Sequence, residues 1–254
     1  MILFQYDRTF EGLLTAVFDA YARRSFPDRL LGEEEALPLF YDELFRVITD
    51  GEKANRVWRG LEKRLSKAAL SVISIAWLSE VPEAGELLFR YIRLAIDAPR
   101  SIELNFGDPT VMAVTKLWKR VSNERLRVAQ FLRFQKAADG TYFSALSPLY
   151  NVLPLVIPHL LERFADQRWL VYDLRRAYGY YYDGKEAEEV TFSDRAGHLR
   201  DGLLDPSIMD KDERLFQEMW RTYFHSIAIK ERLNPRLHRQ NMPARFWPYM
   251  PEKA

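Results

Sequence analysis

The chain has 254 residues, 48% of them hydrophobic, and is long enough to bury a sizeable core as one large domain or two small ones. Its 37 basic and 36 acidic residues leave a net charge of +1, which argues against a polycation that coats DNA or an anionic membrane. The absence of cysteine excludes disulfides, thiol catalysis and iron–sulfur clusters held by this chain alone. The longest apolar run, residues 68–78, is shorter than a membrane span, and the first residues lack the basic region of a signal peptide. We therefore expect a cytoplasmic protein with no membrane partner.

The N-terminal half of the chain mostly has the apolar spacing of helices. The first six residues alternate weakly between apolar and polar, which predicts an edge strand. Thr9 is a suitable N-cap for a helix that runs through Tyr21, and the helical pattern resumes from residue 33 to residue 97. We expect residues 1–82 to form a mostly helical N-terminal region.

The C-terminal half changes to the alternation that is typical of strands. Between residues 127 and 193 the pattern predicts antiparallel β-hairpins, the first of them with its turn at Asp139–Gly140. A long amphipathic helix follows, and we expect the proline-rich, aromatic tail to dock onto the rest of the protein. The predicted fold class is α+β, with residues 83–254 as an α+β core region that packs with the first region as one compact unit.

Basic residues concentrate in two windows although the whole chain is nearly neutral. Residues 116–136 hold seven basic residues against one acid, and residues 230–245 hold five against one. Arginine predominates in both windows, and its planar guanidinium suits bidentate contacts with phosphate. Aromatic residues that can stack on bases are interleaved with the first window and follow it. The predicted nucleic-acid contacts are Arg125, Arg127, Arg133, Lys136, Arg175, Arg232, Arg236 and Arg239.

The same pattern has a plain structural explanation, which stays open at this point. Helices that carry several arginines and lysines usually turn them to solvent, and aromatic residues of a sheet usually belong to a core. Because successive residues of a strand point to opposite faces, some of these aromatic rings must point away from any ligand.

Three residues are weak candidates for catalysis. His159 lies in an apolar helix, where it is either a hydrogen-bonded structural histidine or, at a cleft, a general acid–base. Asp173 is either a turn residue between two strands or a functional carboxylate. His225, in the long C-terminal helix, is the third candidate.

The sequence does not predict a metal centre or a cofactor. His198, Asp201 and Asp205 are close in sequence, but nothing marks the remaining ligands that a metal ion would need. The glycine-rich loops that hold nucleotide phosphates and the paired histidines of zinc proteases do not occur.

Four phrases of the sequence together resemble one bacterial family of uncharacterised proteins linked to DNA metabolism and DNA repair. The phrases are residues 6–21, 121–136, 140–184 and 231–250. Members of that family are typically encoded beside a radical-SAM protein, and in some relatives a similar domain is joined to a uracil-DNA-glycosylase-like domain. Because this chain has no cysteine, it lacks the three-cysteine motif of radical-SAM enzymes. The resemblance therefore implies a companion of the radical-SAM protein.

Three functions follow from this reading as hypotheses. The first is a nucleic-acid-binding accessory protein of DNA repair whose radical-SAM partner performs the chemistry. The second is an enzyme of the glycosylase or lyase type that processes nucleic acid without a cluster. The third is a protein–protein adaptor that does not bind DNA and makes contact through its C-terminal tail or an exposed helix.

Overall fold

A computed structural model describes residues 1–192, 199–200 and 203–253 of the chain. Its mixed helix-and-sheet architecture and its helical N-terminal half confirm the predicted α+β class. The chain divides into two compact units, Met1–Ser122 (unit 1) and Asn123–Ala254 (unit 2). No helix among the described residues is long and apolar enough to cross a membrane.

Unit 1 combines a small parallel sheet with a set of helices. Its elements in chain order are β1 (Ile2–Tyr6), α1 (Phe10–Arg23), β2 (Arg29–Gly32), β3 (Glu43–Arg46), α2 (Gly51–Glu62), α3 (Lys67–Trp77), α4 (Ala84–Asp97) and α5 (Pro109–Phe131), the last of which continues into unit 2. β1 pairs in parallel with β2 on one side and with β3 on the other. The prediction of an edge strand is wrong, because β1 is the central strand and Leu3 and Phe4 are fully buried.

Side chains that cap helix N-termini determine where several helices of unit 1 begin. Thr9 accepts a hydrogen bond from the backbone N–H of Gly12 at 2.9 Å, which confirms the predicted start of α1. Asp50 and Ser66 cap α2 and α3 in the same way. α4 differs, because its N-cap residue, Glu83, makes no side-chain hydrogen bond to the first turn.

The core of unit 1 lies between the sheet and the helices. Phe4 of β1, Leu13 of α1, Ile73 of α3 and Leu88 of α4 are all fully buried and belong to one cluster. Burial of each such side chain contributes about 1.5–3 kcal/mol, so this cluster is the main stabilising feature of the unit.

Unit 2 is built around a five-stranded sheet with the order β4-β5-β6-β7-β8. Its elements are β4 (Gln135–Lys136), β5 (Tyr142–Leu146), α6 (Leu153–Arg163), β6 (Trp169–Asp173), β7 (Tyr178–Tyr182), β8 (Ala187–Val190), β9 (Leu199–Arg200), β10 (Leu203–Leu204), α7 (Glu213–Ser226) and α8 (Pro235–Asn241), with 3₁₀ helices at Lys230–Arg232, Ala244–Tyr249 and Pro251–Lys253. β5 and β6 are parallel and are connected through α6, whereas the other pairs in this sheet are antiparallel. The hairpin of β6 and β7 is where alternation predicted it.

The first predicted hairpin is much shorter than expected. Residues 128–131 belong to α5, and only Gln135–Lys136 pair with the strand that returns after the turn. The buried residues Val121, Glu124 and Val128 follow one another at intervals of three and four, which is the spacing of one helix face. The helix period therefore continues through the segment in which the sequence suggested an alternating pattern.

The C-terminal tail docks onto unit 2, as predicted. Phe246 and Met250 are 3% and 0% exposed, and the ring of Phe246 lies 5.4 Å from that of Phe131. The aromatic residues of the tail thus serve mainly as packing, and Phe246 is not accessible to a partner.

Candidate nucleic-acid interface

A buried carboxylate, Glu252, connects the C-terminal tail to Arg133 of the first basic window and to Trp220 of α7. Arg133 donates to Oε1 of Glu252 through Nε at 3.0 Å and Nη2 at 2.7 Å, and the indole N–H of Trp220 donates to Oε2 at 3.0 Å. Burial by itself would raise the pKa of Glu252, but the hydrogen bonds and charge of Arg133 and the bond from Trp220 outweigh it and lower the pKa. Arg133, one of the predicted nucleic-acid contacts, therefore already has a structural partner within unit 2.

A second buried carboxylate, Glu124, brings the two basic windows together. Its side chain is 1% exposed and accepts hydrogen bonds from the backbone N–H of Leu149 at 2.9 Å and from Arg245. Nη1 of Arg127 lies 3.9 Å from the same carboxylate. Glu124 belongs to the first window and Arg245 to the second, so these windows meet in space within unit 2.

A cavity of about 440 Å³ lies between the short hairpin, α7 and the tail. Four of its lining residues are aromatic, two are cations, and a carboxylate and an amide are also present. These eight residues are Phe134, Tyr142, Phe216, Trp220, Arg133, Lys136, Glu213 and Gln217. The predicted contacts Arg133 and Lys136 thus lie at one site, together with aromatic rings that the sequence analysis placed near them.

The polar groups of this cavity are fixed by hydrogen bonds. Glu213 is 8% exposed and accepts from the backbone N–H of Lys136 at 3.0 Å and from the amide of Gln217 at 2.9 Å. The ammonium group of Lys136 lies 3.3 Å from Asp210, and the hydrogen bond to Asp210 raises the pKa of the lysine. The cavity therefore presents flat apolar walls with a carboxylate and an amide at defined positions.

The other predicted phosphate contacts fall into two groups. The guanidinium of Arg175 donates to the backbone carbonyl of Leu149 at 2.9 Å. Four other arginines have no carboxylate within ion-pair distance among the described residues: Arg125, Arg232, Arg236 and Arg239. Arg125 is partly buried, and the other three are exposed. Asn234 caps α8 by accepting from the backbone N–H of Leu237 at 3.0 Å. Because Arg236 and Arg239 are three residues apart on this helix, their side chains are neighbours on its surface.

The weak catalytic candidates are not joined to one another by any hydrogen bond or ion pair in the described part of the chain. His159 is exposed on α6, not held in the core, because the buried residues of that helix lie on its other face. Asp173 is fully buried, and accepts from the backbone N–H of Arg175 at 2.9 Å and from the guanidinium of Arg176 at 2.8 Å. This is the turn-residue role, with a buried ion pair added to it. His225 is exposed near the end of α7.

A metal site is not evident in the described ranges, in which no three histidine, aspartate or glutamate residues form a group that could hold an ion. His198 and Asp201 lie outside the described residues, so the structure says nothing about their grouping with Asp205.

Sequence reasoning missed the acids that organise this interface. Glu252, Glu213 and Glu124 are buried carboxylates, yet in the sequence each looks like an ordinary surface glutamate. The one available signal was the position of Glu124 as the single acid of a strongly basic window. The sequence also did not indicate that the apolar face of α7 is exposed, with Leu215 and Met219 each 57% accessible.

Comparison with known proteins gives a family without an activity. A family described as "Domain of unknown function (DUF4130)" matches residues 82–252, which is more than half of the chain. No curated protein and no solved structure was found to match the chain.

Proposed function

We propose that unit 2 of this chain, which belongs to the family described as a domain of unknown function, DUF4130, binds nucleic acid. The nucleic acid we propose is DNA. The observation that carries the proposal is the cavity of about 440 Å³, which combines four aromatic rings with Arg133 and Lys136. In this proposal an unstacked base enters the cavity while arginines outside it hold the phosphates. Base stacking on aromatic residues contributes about 1–3 kcal/mol per base in single-strand binders.

The phosphate contacts are assigned to the arginines that have no carboxylate partner. Arg232, Arg236 and Arg239 are exposed, whereas Arg133 is committed to Glu252 and Lys136 lies beside Asp210. A cation that already pairs with a carboxylate gains less from a phosphate, because it must exchange one anion for another. The C-terminal arginines therefore contribute most of the affinity, and Arg133 keeps the wall of the cavity in place.

The carboxylate and amide at the cavity suit the edge of a base. Gln217 uses its amide N–H to bond Glu213, which leaves its carbonyl oxygen as an acceptor at the cavity. Acceptors of this kind can bond the exocyclic amino group of adenine, cytosine or guanine. The cavity is thus expected to prefer a base with an amino group over thymine.

The resemblance to proteins encoded beside a radical-SAM protein supplies the finer part of the proposal. We propose a cytoplasmic accessory role in DNA repair or DNA metabolism, in which this chain holds the nucleic acid and the radical-SAM partner performs the reaction. The absence of cysteine supports this division of labour, since the chain cannot hold the partner's cluster itself.

A second candidate function, that of a protein–protein adaptor, is favoured by the exposed face of α7. Leu215, Met219 and Tyr223 of this helix are each between 54% and 57% exposed, and Ile227, directly after the helix, is 56% exposed. Exposed apolar surface of this extent often marks a protein interaction site. The contact is assigned to α7 and not to the tail, because Phe246 is buried. Leu215→Ser together with Met219→Ser should then abolish co-elution with the radical-SAM protein, and the isolated wild-type chain should not bind DNA.

Fluorescence anisotropy with matched single-stranded and duplex DNA at several salt concentrations tests the main proposal. We expect single-stranded DNA to bind more tightly, with an observed affinity that falls steeply as salt rises. Absence of binding at low salt would refute nucleic-acid binding by the isolated chain, and binding that is indifferent to salt would refute the assignment of phosphate contacts.

A further inference from the structure

A second cavity lies in unit 1, at the edge where its parallel strands end. All strands of that sheet run in the same direction, so the residues after β1 and β2 meet at one edge. In open sheets of parallel strands, ligands bind in the crevice outside the carboxyl ends. The cavity there measures about 250 Å³, and its lining includes Tyr6, Arg8, Trp77, Glu80, Pro82 and Gly85.

The buried side chain of Tyr6 ends with its hydroxyl at this cavity. Tyr6 is 4% exposed, and its hydroxyl has no hydrogen-bond partner among the described residues, which include all of unit 1. A Cβ atom at Gly85 would lie 2.2 Å from that oxygen, so the hydroxyl sits directly against the first turn of α4. Burial raises the pKa of Tyr6 to about 12, which keeps the hydroxyl protonated and able to donate at neutral pH.

The first turn of α4 supplies further donors at the same place. Its N-cap residue, Glu83, makes no side-chain hydrogen bond, and the backbone N–H groups of Gly85 and Glu86 have no partner in the described structure. Helix N-termini carry a partial positive charge and bind anions through such N–H groups.

Arg8 brings a guanidinium group to the cavity wall, where its charge is already paired with Glu35. Its guanidinium is held by Glu35, which accepts from Nη2 at 2.5 Å and from the backbone N–H of Gly32 at 2.9 Å. A Cβ atom at Gly32 would lie 2.2 Å from Nε of Arg8, so the glycine makes room for the arginine. The side chain is 45% exposed, and its Nε and Nη1 groups remain as donors.

We propose that this cavity binds a phosphate group, which accepts hydrogen bonds from the Tyr6 hydroxyl, from the first turn of α4 and from the N–H groups of Arg8 that do not bond Glu35. Trp77 and Pro82 offer an apolar wall for whatever the phosphate is attached to, so a nucleotide or the 5′-phosphate of a strand suits the site better than free phosphate. The charge of Glu80, which also lines the cavity, opposes the anion and makes the affinity of free phosphate weak. This site is independent of nucleic-acid binding by unit 2.

Amide chemical shifts of the full chain, followed during titration with inorganic phosphate, test the site directly. We expect saturable shifts at Gly85 and Glu86, and a dissociation constant about tenfold higher for Tyr6→Phe, because a hydrogen bond to a charged group is lost. The matched control is Tyr21→Phe. The Tyr21 hydroxyl donates to Asp97 at 2.6 Å and does not line this cavity, so the variant should bind phosphate as the wild type does. Arg8→Gln should also weaken binding.

The source of the phosphate is distinguished by a dinucleotide with and without a 5′-phosphate. Tighter binding of the phosphorylated form than of inorganic phosphate would identify a nucleotide or strand end, and equal binding would identify free phosphate. Shifts that do not saturate, or a Tyr6→Phe variant that stays folded and binds as tightly as wild type, would overturn the proposal. These readouts lie in unit 1, so they do not depend on DNA binding by the arginines of α8.

Discussion

Arg245 donates a hydrogen bond to Glu124, a residue 121 positions earlier in the chain. Through this contact a residue near the C-terminus reaches the helix that begins unit 2, and the two basic windows of the sequence become neighbours. The buried carboxylate of Glu252 makes a similar connection to Arg133 across 119 positions. Both contacts place acids inside the basic region, so its cations divide into structural ones and free ones.

Glu252→Gln should destabilise unit 2. The substitution removes the charge that faces Arg133, whose side chain is only 26% exposed, and breaking such a pair costs about 2–3 kcal/mol. Urea denaturation monitored by tryptophan fluorescence measures the loss. Glu231→Gln, at an exposed position in the second basic window, is the control and should leave stability unchanged. Equal stability of Glu252→Gln and wild type would mean that the tail is held by packing alone.

The contribution of Glu252 should also depend on pH in a defined direction. The pKa of Glu252 is lower in the folded protein than in the unfolded chain, where a glutamate has a pKa of about 4.3. A lowered pKa stabilises the fold above the unfolded value, and the stabilisation is lost as pH falls through the folded value. The gap in unfolding free energy between wild type and Glu252→Gln should therefore be constant near neutrality and shrink below about pH 4. A gap that widens in acid would contradict this assignment.

Asp173→Asn separates a structural role from a catalytic one. The carboxylate is fully buried against Arg176 and also holds the turn, so its loss should cost about 3–5 kcal/mol of stability. Asp166→Asn, at an exposed position, is the control. DNA affinity per folded molecule should be the same in both variants. An Asp173→Asn protein with wild-type stability would reopen the functional reading of this residue.

Phe216→Ala tests whether the cavity receives a base. Phe216 lines the cavity and is 60% exposed, so the substitution should change affinity with little effect on folding. We expect single-stranded DNA to bind roughly tenfold more weakly, with an unchanged salt dependence, since stacking and not charge is lost. Leu215→Ala, 57% exposed on the same helix but away from the cavity, should bind normally. Equal effects of the two substitutions would place the DNA elsewhere.

Local features of the sequence predicted much of the fold. The Thr9 cap and the hairpin of β6 and β7 depend on residues that are close in the chain, and both are found as predicted. The central position of β1 could not be seen, because it is fixed by pairing with β2 and β3, which lie some distance along the chain. The extension of α5 through Phe131 was missed because a short segment with apolar residues fits both periods.

The candidate site was only partly predictable. Arg133 and Lys136 were correctly expected near aromatic residues, yet their acid partners, Glu252 and Asp210, come from distant parts of the chain. A paired arginine and a free one look identical in a single sequence. Only the fold shows that Arg133 is paired with a carboxylate whereas Arg232, Arg236 and Arg239 are not.

The salt dependence of DNA binding by a triple variant, Arg232→Gln, Arg236→Gln and Arg239→Gln, tests the central claim most directly. Each phosphate contact contributes about 0.7 to the log–log salt slope for single-stranded DNA, so the variant should bind more weakly at low salt with a slope lower by about 2. The control neutralises three exposed cations of unit 1, Arg59, Lys63 and Arg100, and should keep the wild-type slope. If the triple variant and its control give the same affinity and slope as wild type, the C-terminal arginines do not hold phosphates and the account is wrong.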